Sequence, residues 1–256
     1  MLLSGWGPLT RAPSPSALEA EGRGAELYNA RPLGIAFFDL DRTLLSINSG
    51  SVWVIREFRD GRLSLWQVTR GMYYLGLYRL GWARLEEAIA LAISTLKGTS
   101  SAEVRRQVEA FYQRHVRSTY RPGALRALAQ HKQQGDVTAL LSSTSMYMAE
   151  AVARDLALDA TFCNRFEVDG AGAHTGRSEG RLCYGPGKLD YAEAFAQSRG
   201  VALSECVFYT DSISDLPVLE RVGRPVVVNP DGRLRKLAQR RQWEVVDWGQ
   251  PVPDGS

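Results

Sequence analysis

A chain of 256 residues is long enough to bury one large core, or a core carrying an inserted domain. With 45% hydrophobic and 23% charged residues it has the composition of an ordinary soluble globular protein, and a formal net charge of only +3 argues against a nucleic-acid partner. Its three cysteines, Cys163, Cys183 and Cys206, form no CxxC pair, which speaks against a zinc site or a disulfide framework and fits a reducing, cytoplasmic setting.

Residues 1–30, with Pro13, Pro15 and a polar run to Gly24, read as a flexible N-terminal tail. After Met1-Leu2-Leu3 the chain turns at once to Gly, Pro and Ser, unlike the apolar centre of a signal peptide. No run of about 18 uncharged apolar residues follows, so no membrane-spanning helix is expected. Ile35-Ala36-Phe37-Phe38 then forms a short apolar run ending in Asp39, as a buried strand would.

Next comes a long stretch with almost no strand signal. Its aromatic segment, 63–82, carries Trp66, Tyr73, Tyr74, Tyr78 and Trp82, with Arg70 and Arg79 its only charges. This favours a lid helix buried between neighbours or at a dimer contact; the alternative is a surface for an apolar substrate tail or a membrane interface. Leu85, Ala88, Ile89, Ala92, Ile93 and Leu96 recur on one helical face. Ser100 and Glu103 have capping-box spacing, and Val104, Val108, Phe111, Tyr112 and His115 form the next stripe, with His115 a packing residue. Residues 47–120 are thus expected to form an all-helical cap inserted after the first strand, with 31–46 and 121–256 making the core.

Further strands are expected at 137–141, 207–209 and 226–228, each followed by a helical pattern such as 146–156 or 189–198. Residues 158–184 read as irregular, apart from a hairpin suggested by Phe166-Glu167-Val168 before Asp169-Gly170. The basic run 233–241 interleaves Leu234, Leu237 and Ala238 at helical spacing and reads as a solvated helix face. Apolar strands alternating with helices predict an α/β fold, a parallel sheet with helices on both faces, whose ligands bind at the carboxyl ends of the strands. Those ends carry Asp39, Ser142 and Asp211.

Two carboxylates two residues apart at a strand end repel each other and resist burial, a conflict that a hard cation such as Mg²⁺ resolves. Asp39 with Asp41, and Asp211 with Asp215, supply two such pairs. Lys188 opens a helix after Gly185-Pro186-Gly187 and suits a phosphate. It does not belong to a nucleotide-binding loop, since Leu189 stands where Ser or Thr is required and the glycine spacing is wrong. In chain order the groups run carboxylate pair, Ser, Lys, carboxylate pair, each at a strand end or helix start.

These segments resemble the four motifs of the haloacid dehalogenase superfamily, from about residue 33 to 248. Asp39-Leu40-Asp41-Arg42-Thr43-Leu44 is similar to the first, Leu140-Leu141-Ser142 to the second, Lys188 to the third, and Asp211-Ser212-Ile213-Ser214-Asp215 to the fourth. The cap position, with Asn164-Arg165 and the fourth motif, is most similar to the phosphoserine-phosphatase-like branch. The resemblance implies a Rossmann-like core and a Mg²⁺-dependent phosphatase acting on a small-molecule phosphate ester. Asp39 would be the nucleophile, Asp41 the acid and base, and Ser142 and Lys188 the holders of the phosphoryl oxygens. The implied metal set is Asp39, Asp41, Asp211 and Asp215. Thr43 would fix the first-motif loop, and with Asn48 and Ser143 border the substrate. Phosphoserine phosphatases place a Glu nine residues after the nucleophile, where this chain has Asn48, so the substrate stays open among phosphoserine-like, histidinol-phosphate-like and lipid-like esters. Transfer of the phosphoryl group to an alcohol, or phosphate-responsive binding with little turnover, are the competing readings.

Overall fold

The computed structural model describes residues 34–61, 69 and 85–251; the expected tail and, apart from Thr69, the aromatic segment 63–82 lie outside the described residues. Seven strands form one sheet in the order β4-β3-β2-β1-β5-β6-β7. They span Ile35–Phe38 (β1), Val137–Ser145 (β2), Ala160–Val168 (β3), His174–Glu179 (β4), Val207–Thr210 (β5), Arg224–Val228 (β6) and Glu244–Val246 (β7). All neighbours are parallel except β3 and β4, which make an antiparallel hairpin at one edge.

The first strand lies between β2 and β5 and is buried at all four residues. Because side chains alternate across a strand, Ala36 and Phe38 enter one core and Ile35 and Phe37 the other. On the first face the sheet is covered by helices Pro122–Gln133 and Met146–Leu156; on the second by Pro186–Ser198 and Gly232–Arg241. Full burial of a Phe-sized side chain contributes about 1.5–3 kcal/mol, so the two phenylalanines anchor β1 from opposite sides. In the basic helix Gly232–Arg241, Leu234 and Ala238 are fully buried while the charges point outward, as its spacing predicts.

In chain order the helices of eight or more residues among the described residues are α1 (Ser49–Arg59), α2 (Leu85–Ser94), α3 (Ser101–Phe111), α4 (Pro122–Gln133), α5 (Met146–Leu156), α6 (Pro186–Ser198) and α7 (Gly232–Arg241). The chain enters and leaves the inserted helices side by side. Ser46 N donates to Thr119 O at 2.8 Å, Arg121 N to Leu44 O at 2.9 Å, and Leu45 and Tyr120 form an isolated antiparallel bridge. From α3, Val108 and Phe111 are buried, and Trp53 of α1 meets Phe111 edge to face at 5.0 Å. His115 packs against the Phe111 ring at 5.4 Å and meets Arg56 Nη2 at 3.3 Å, a packing residue as expected.

Several expectations need correcting. The second strand does not stop at Leu141 but continues through Ser145, with a register shift against β3 between those residues. Residues 158–184 are not mostly irregular: they hold β3 and β4, which make the hairpin expected at Phe166-Glu167-Val168 before Asp169-Gly170 but are longer than it, their alternating polar residues hiding the strand pattern. The short β7 was not foreseen. Ser100 precedes α3 without a side-chain cap, and Glu103 is engaged by Arg106 and Gln107, so the expected capping box does not form. In α2, Ile93 is buried but Ala92 is exposed.

Gly123 at the start of α4 touches Trp248, where an added Cβ would lie 2.4 Å from the indole and 2.6 Å from its Cα. Gly123→Ala is therefore expected to cost about 2 kcal/mol in thermal or denaturant unfolding. Gly232→Ala, whose Cβ would meet open space, should be neutral within about 0.5 kcal/mol.

Candidate active site

Parallel pairing of β1 with β2 and β5 draws Asp39, Ser142 and Thr210-Asp211 to one edge of the sheet. Asp39 continues the ladder for one more step, donating its N–H to Tyr209 O at 2.9 Å. The backbone then turns sharply. Arg42 has φ 60° and ψ −4°, a left-handed conformation unusual for a residue with a side chain and costing about 1–2 kcal/mol. The turn is held by Arg42 N to Ile47 O and Leu45 N to Leu40 O, both 2.9 Å. Arg121, almost fully buried, clamps it by donating Nε to Arg42 O at 3.2 Å and Nη1 to Gly249 O at 2.6 Å. Nothing in the sequence marked Arg121, since an Arg before Pro122 reads only as a helix entry.

Lys188, in the first turn of α6, reaches the centre of this edge. Its Nζ donates to Asp39 Oδ1 and to Asp215 Oδ2, each at 2.8 Å, and all three side chains are buried. Burial alone would lower the Lys188 pKa, but the facing carboxylates of Asp215 and Asp39 more than offset it and keep the ammonium charged. Asp215 also accepts from Thr210 Oγ1 at 2.6 Å, while its Oδ1 is buried with no hydrogen-bond partner. Burial pushes Asp215 upward against the pull of Lys188. Thr210 is a second residue the sequence did not single out; it sat unnoticed beside Asp211.

The remaining expected residues divide by surroundings. Thr43 is fully buried; its hydroxyl accepts from Asp211 N at 3.0 Å and faces Asp211 Oδ1 at 3.5 Å. It joins the loops after β1 and β5. Asp211 is pushed up to about 7, by burial first and then by the charges of Asp39 and Asp215. Asp41 faces the N-terminus of α1, its Oδ1 accepting from Ser49 N at 2.8 Å and its Oδ2 from Asn48 Nδ2 at 3.4 Å. Burial raises it to about 6 despite the Ser49 hydrogen bonds. Ser142 is buried at the end of β2 and Ser143 is exposed. Asn164 of β3 ties this segment to the approach to Lys188, donating to Ser143 O at 2.6 Å and accepting from Cys183 N at 2.8 Å.

A divalent cation fits this edge. Asp39, Asp211 and Asp215 bring three carboxylates against one ammonium, and the unpartnered Asp215 Oδ1 and the destabilised charge on Asp211 both call for a cation. Among the described residues no three His, Cys, Asp or Glu side chains are grouped to hold an ion alone. Mg²⁺ does not need such a cage, being held by one or two carboxylates with waters and substrate phosphate.

The sheet topology and the acid-rich ends of its strands define a Rossmann-like α/β protein with a charged site at the carboxyl ends of the parallel strands. Residues 36–220 match the family model described as haloacid dehalogenase-like hydrolase, and the chain belongs to that family. It is 30% identical to the inhibition of morphological differentiation protein of Streptomyces azureus, over 90% of this chain and 83% of the relative. It is 31% identical to phosphoserine phosphatase SerB1 of Mycobacterium tuberculosis, over 83% and 70% respectively. A Bordetella pertussis crystal structure of unknown function superposes with a TM-score of 0.77 at 30% identity, covering 85% of this chain and 99% of that one. The fold is shared with a phosphoserine phosphatase carrying a phospho-aspartyl intermediate analogue, with a TM-score of 0.63 at 19% identity over 86% and 95%. The chain is thus a phosphoric monoester hydrolase of this family.

Lys188→Met removes the ammonium that both Asp39 and Asp215 face. Breaking such a buried pair costs about 3–5 kcal/mol, so the metal-free variant is expected to melt about 10 °C lower by calorimetry.

Proposed function

We propose that the chain hydrolyses a small phosphomonoester by attack of Asp39 on phosphorus, forming an aspartyl-phosphate that water then cleaves. The observation that carries this reading is the separation of the two first-motif carboxylates. Asp39 is held against Lys188, whereas Asp41 is held apart by amide donors of α1. One carboxylate is thereby paired with an ammonium, and the other, its pKa raised by burial, is poised for proton transfer.

Lys188 uses Asp39 Oδ1, leaving Oδ2 as the attacking atom. An ammonium has three protons, and two are given to Asp39 and Asp215, so the third is free for a phosphoryl oxygen. Ser142, buried beside this edge, would hold another, and exposed Ser143 would border the leaving alcohol. Asp41 protonates that alcohol and afterwards takes the proton from the attacking water, so each step returns it to the state the next one needs. Asp39 and Asp211 would hold Mg²⁺ and Asp215 would stand beside them; when bound, the metal neutralises charge on the transferring group. Thr43 and Thr210 fix the two loops that carry these carboxylates.

With a chromogenic aryl phosphate, activity should vanish on chelation and return with Mg²⁺. Asp39→Asn should be inactive, and Asp41→Asn should lose about 10²- to 10⁴-fold in turnover of an alkyl phosphate. Undiminished hydrolysis by Asp39→Asn would overturn the assignment of the nucleophile.

A further inference from the structure

We infer that Asn48 is a positioning residue for Asp41, and that its side chain is committed to the enzyme itself and not to reading the substrate. This rests on the phosphohydrolase reading above. Asn48 is the N-cap of α1, and its Oδ1 accepts from Ser51 N at 2.8 Å. A backbone N–H can only donate, so the atom facing Ser51 must be the amide oxygen. The other end of the amide is then necessarily NH₂, and it points at Asp41 Oδ2, 3.4 Å away. Ser49 N takes the second oxygen of the same carboxylate at 2.8 Å. Asp41 is thus gripped at both oxygens by the first residues of one helix, which fixes the rotation of its carboxylate.

Residue chemistry explains why asparagine serves here. Ser, Thr and Asp cap helices as well as Asn does, but none offers a cap acceptor and an amide donor from one planar group. Asp would cap equally yet set a like charge against Asp41. The amide donor occupies one lone pair of Oδ2 and leaves another for proton exchange with the leaving alcohol. The selectivity that follows is for phosphomonoesters whose alcohol is recognised without an ionic partner at position 48.

The test uses the full chain with Asn48→Asp and Asn48→Ser, both of which keep a capping oxygen, against a primary alkyl phosphate and p-nitrophenyl phosphate. A primary alkoxide needs protonation to leave and p-nitrophenolate does not. Because kcat/KM reports the steps up to alcohol release, misplacing the acid should lower it about 10-fold more for the alkyl ester than for the aryl ester. The variants should melt within a few degrees of the parent. An equal fall on both esters would reduce Asn48 to a helix cap and overturn the inference. A loss confined to O-phosphoserine, with an amine-free alkyl phosphate unaffected, would make it a substrate reader and overturn it equally. Failure of the underlying reading is seen separately, as a parent chain no more active than Asp39→Asn.

Discussion

An ammonium buried among carboxylates is the constraint on which the rest of this structure depends. Lys188 has no access to water, and it stays charged only because Asp39 and Asp215 face it at hydrogen-bond distance. Neither acid could be buried there without it. The three residues come from strand β1, the start of α6 and the turn after β5, so the pairing requires that all three elements be in place at once. The hydrogen bonds around it serve the same end: Thr210 orients Asp215, Thr43 ties the loops after β1 and β5, and Asn164 fixes the approach to α6. A site that must carry excess negative charge for a cation and a phosphate is in this way built around one internal positive charge.

The sheet supplies the rigidity this needs. With β1 flanked on both sides and its side chains sunk alternately into two cores, the position of Asp39 is determined by packing that involves no functional residue. The strained turn that follows is held from outside by Arg121, whose own position comes from the far end of the insertion and from the carbonyl of Gly249. Strain, burial and charge are therefore concentrated in the loop after β1 and compensated by residues distant in sequence.

Much of this was legible in the sequence. Four-residue apolar runs closed by Asp39 or by Thr210-Asp211 can hardly be anything but buried parallel strands, and helices 146–156 and 233–241 followed from periodicity. The hairpin at Phe166-Glu167-Val168 before Asp169-Gly170 was legible, but the full length of β3 and β4 was not, because Arg165, Glu167, Thr175 and Arg177 give the segment the look of a loop. The carboxylates and Lys188 could be picked out by order alone, but their partners could not. Whether Asp41 faces Lys188 or a helix end depends on the turn at Arg42, and no residue type there announces a left-handed backbone. Thr210, Arg121 and Asn164 escaped notice because each acts through a hydrogen bond that exists only once distant segments meet.

The paired neck where residues 44–46 run beside 119–121 has a topological consequence. The ends of the inserted segment are already joined by backbone hydrogen bonds on the core side of the joint, including Ser46 N to Thr119 O. The core thus sees a closed loop whatever its length, and added residues cost only slowly growing closure entropy. The insertion can therefore change in length without opening the sheet, while its first residues, Asn48 and Ser49, stay tied to Asp41 and hold that end to the core.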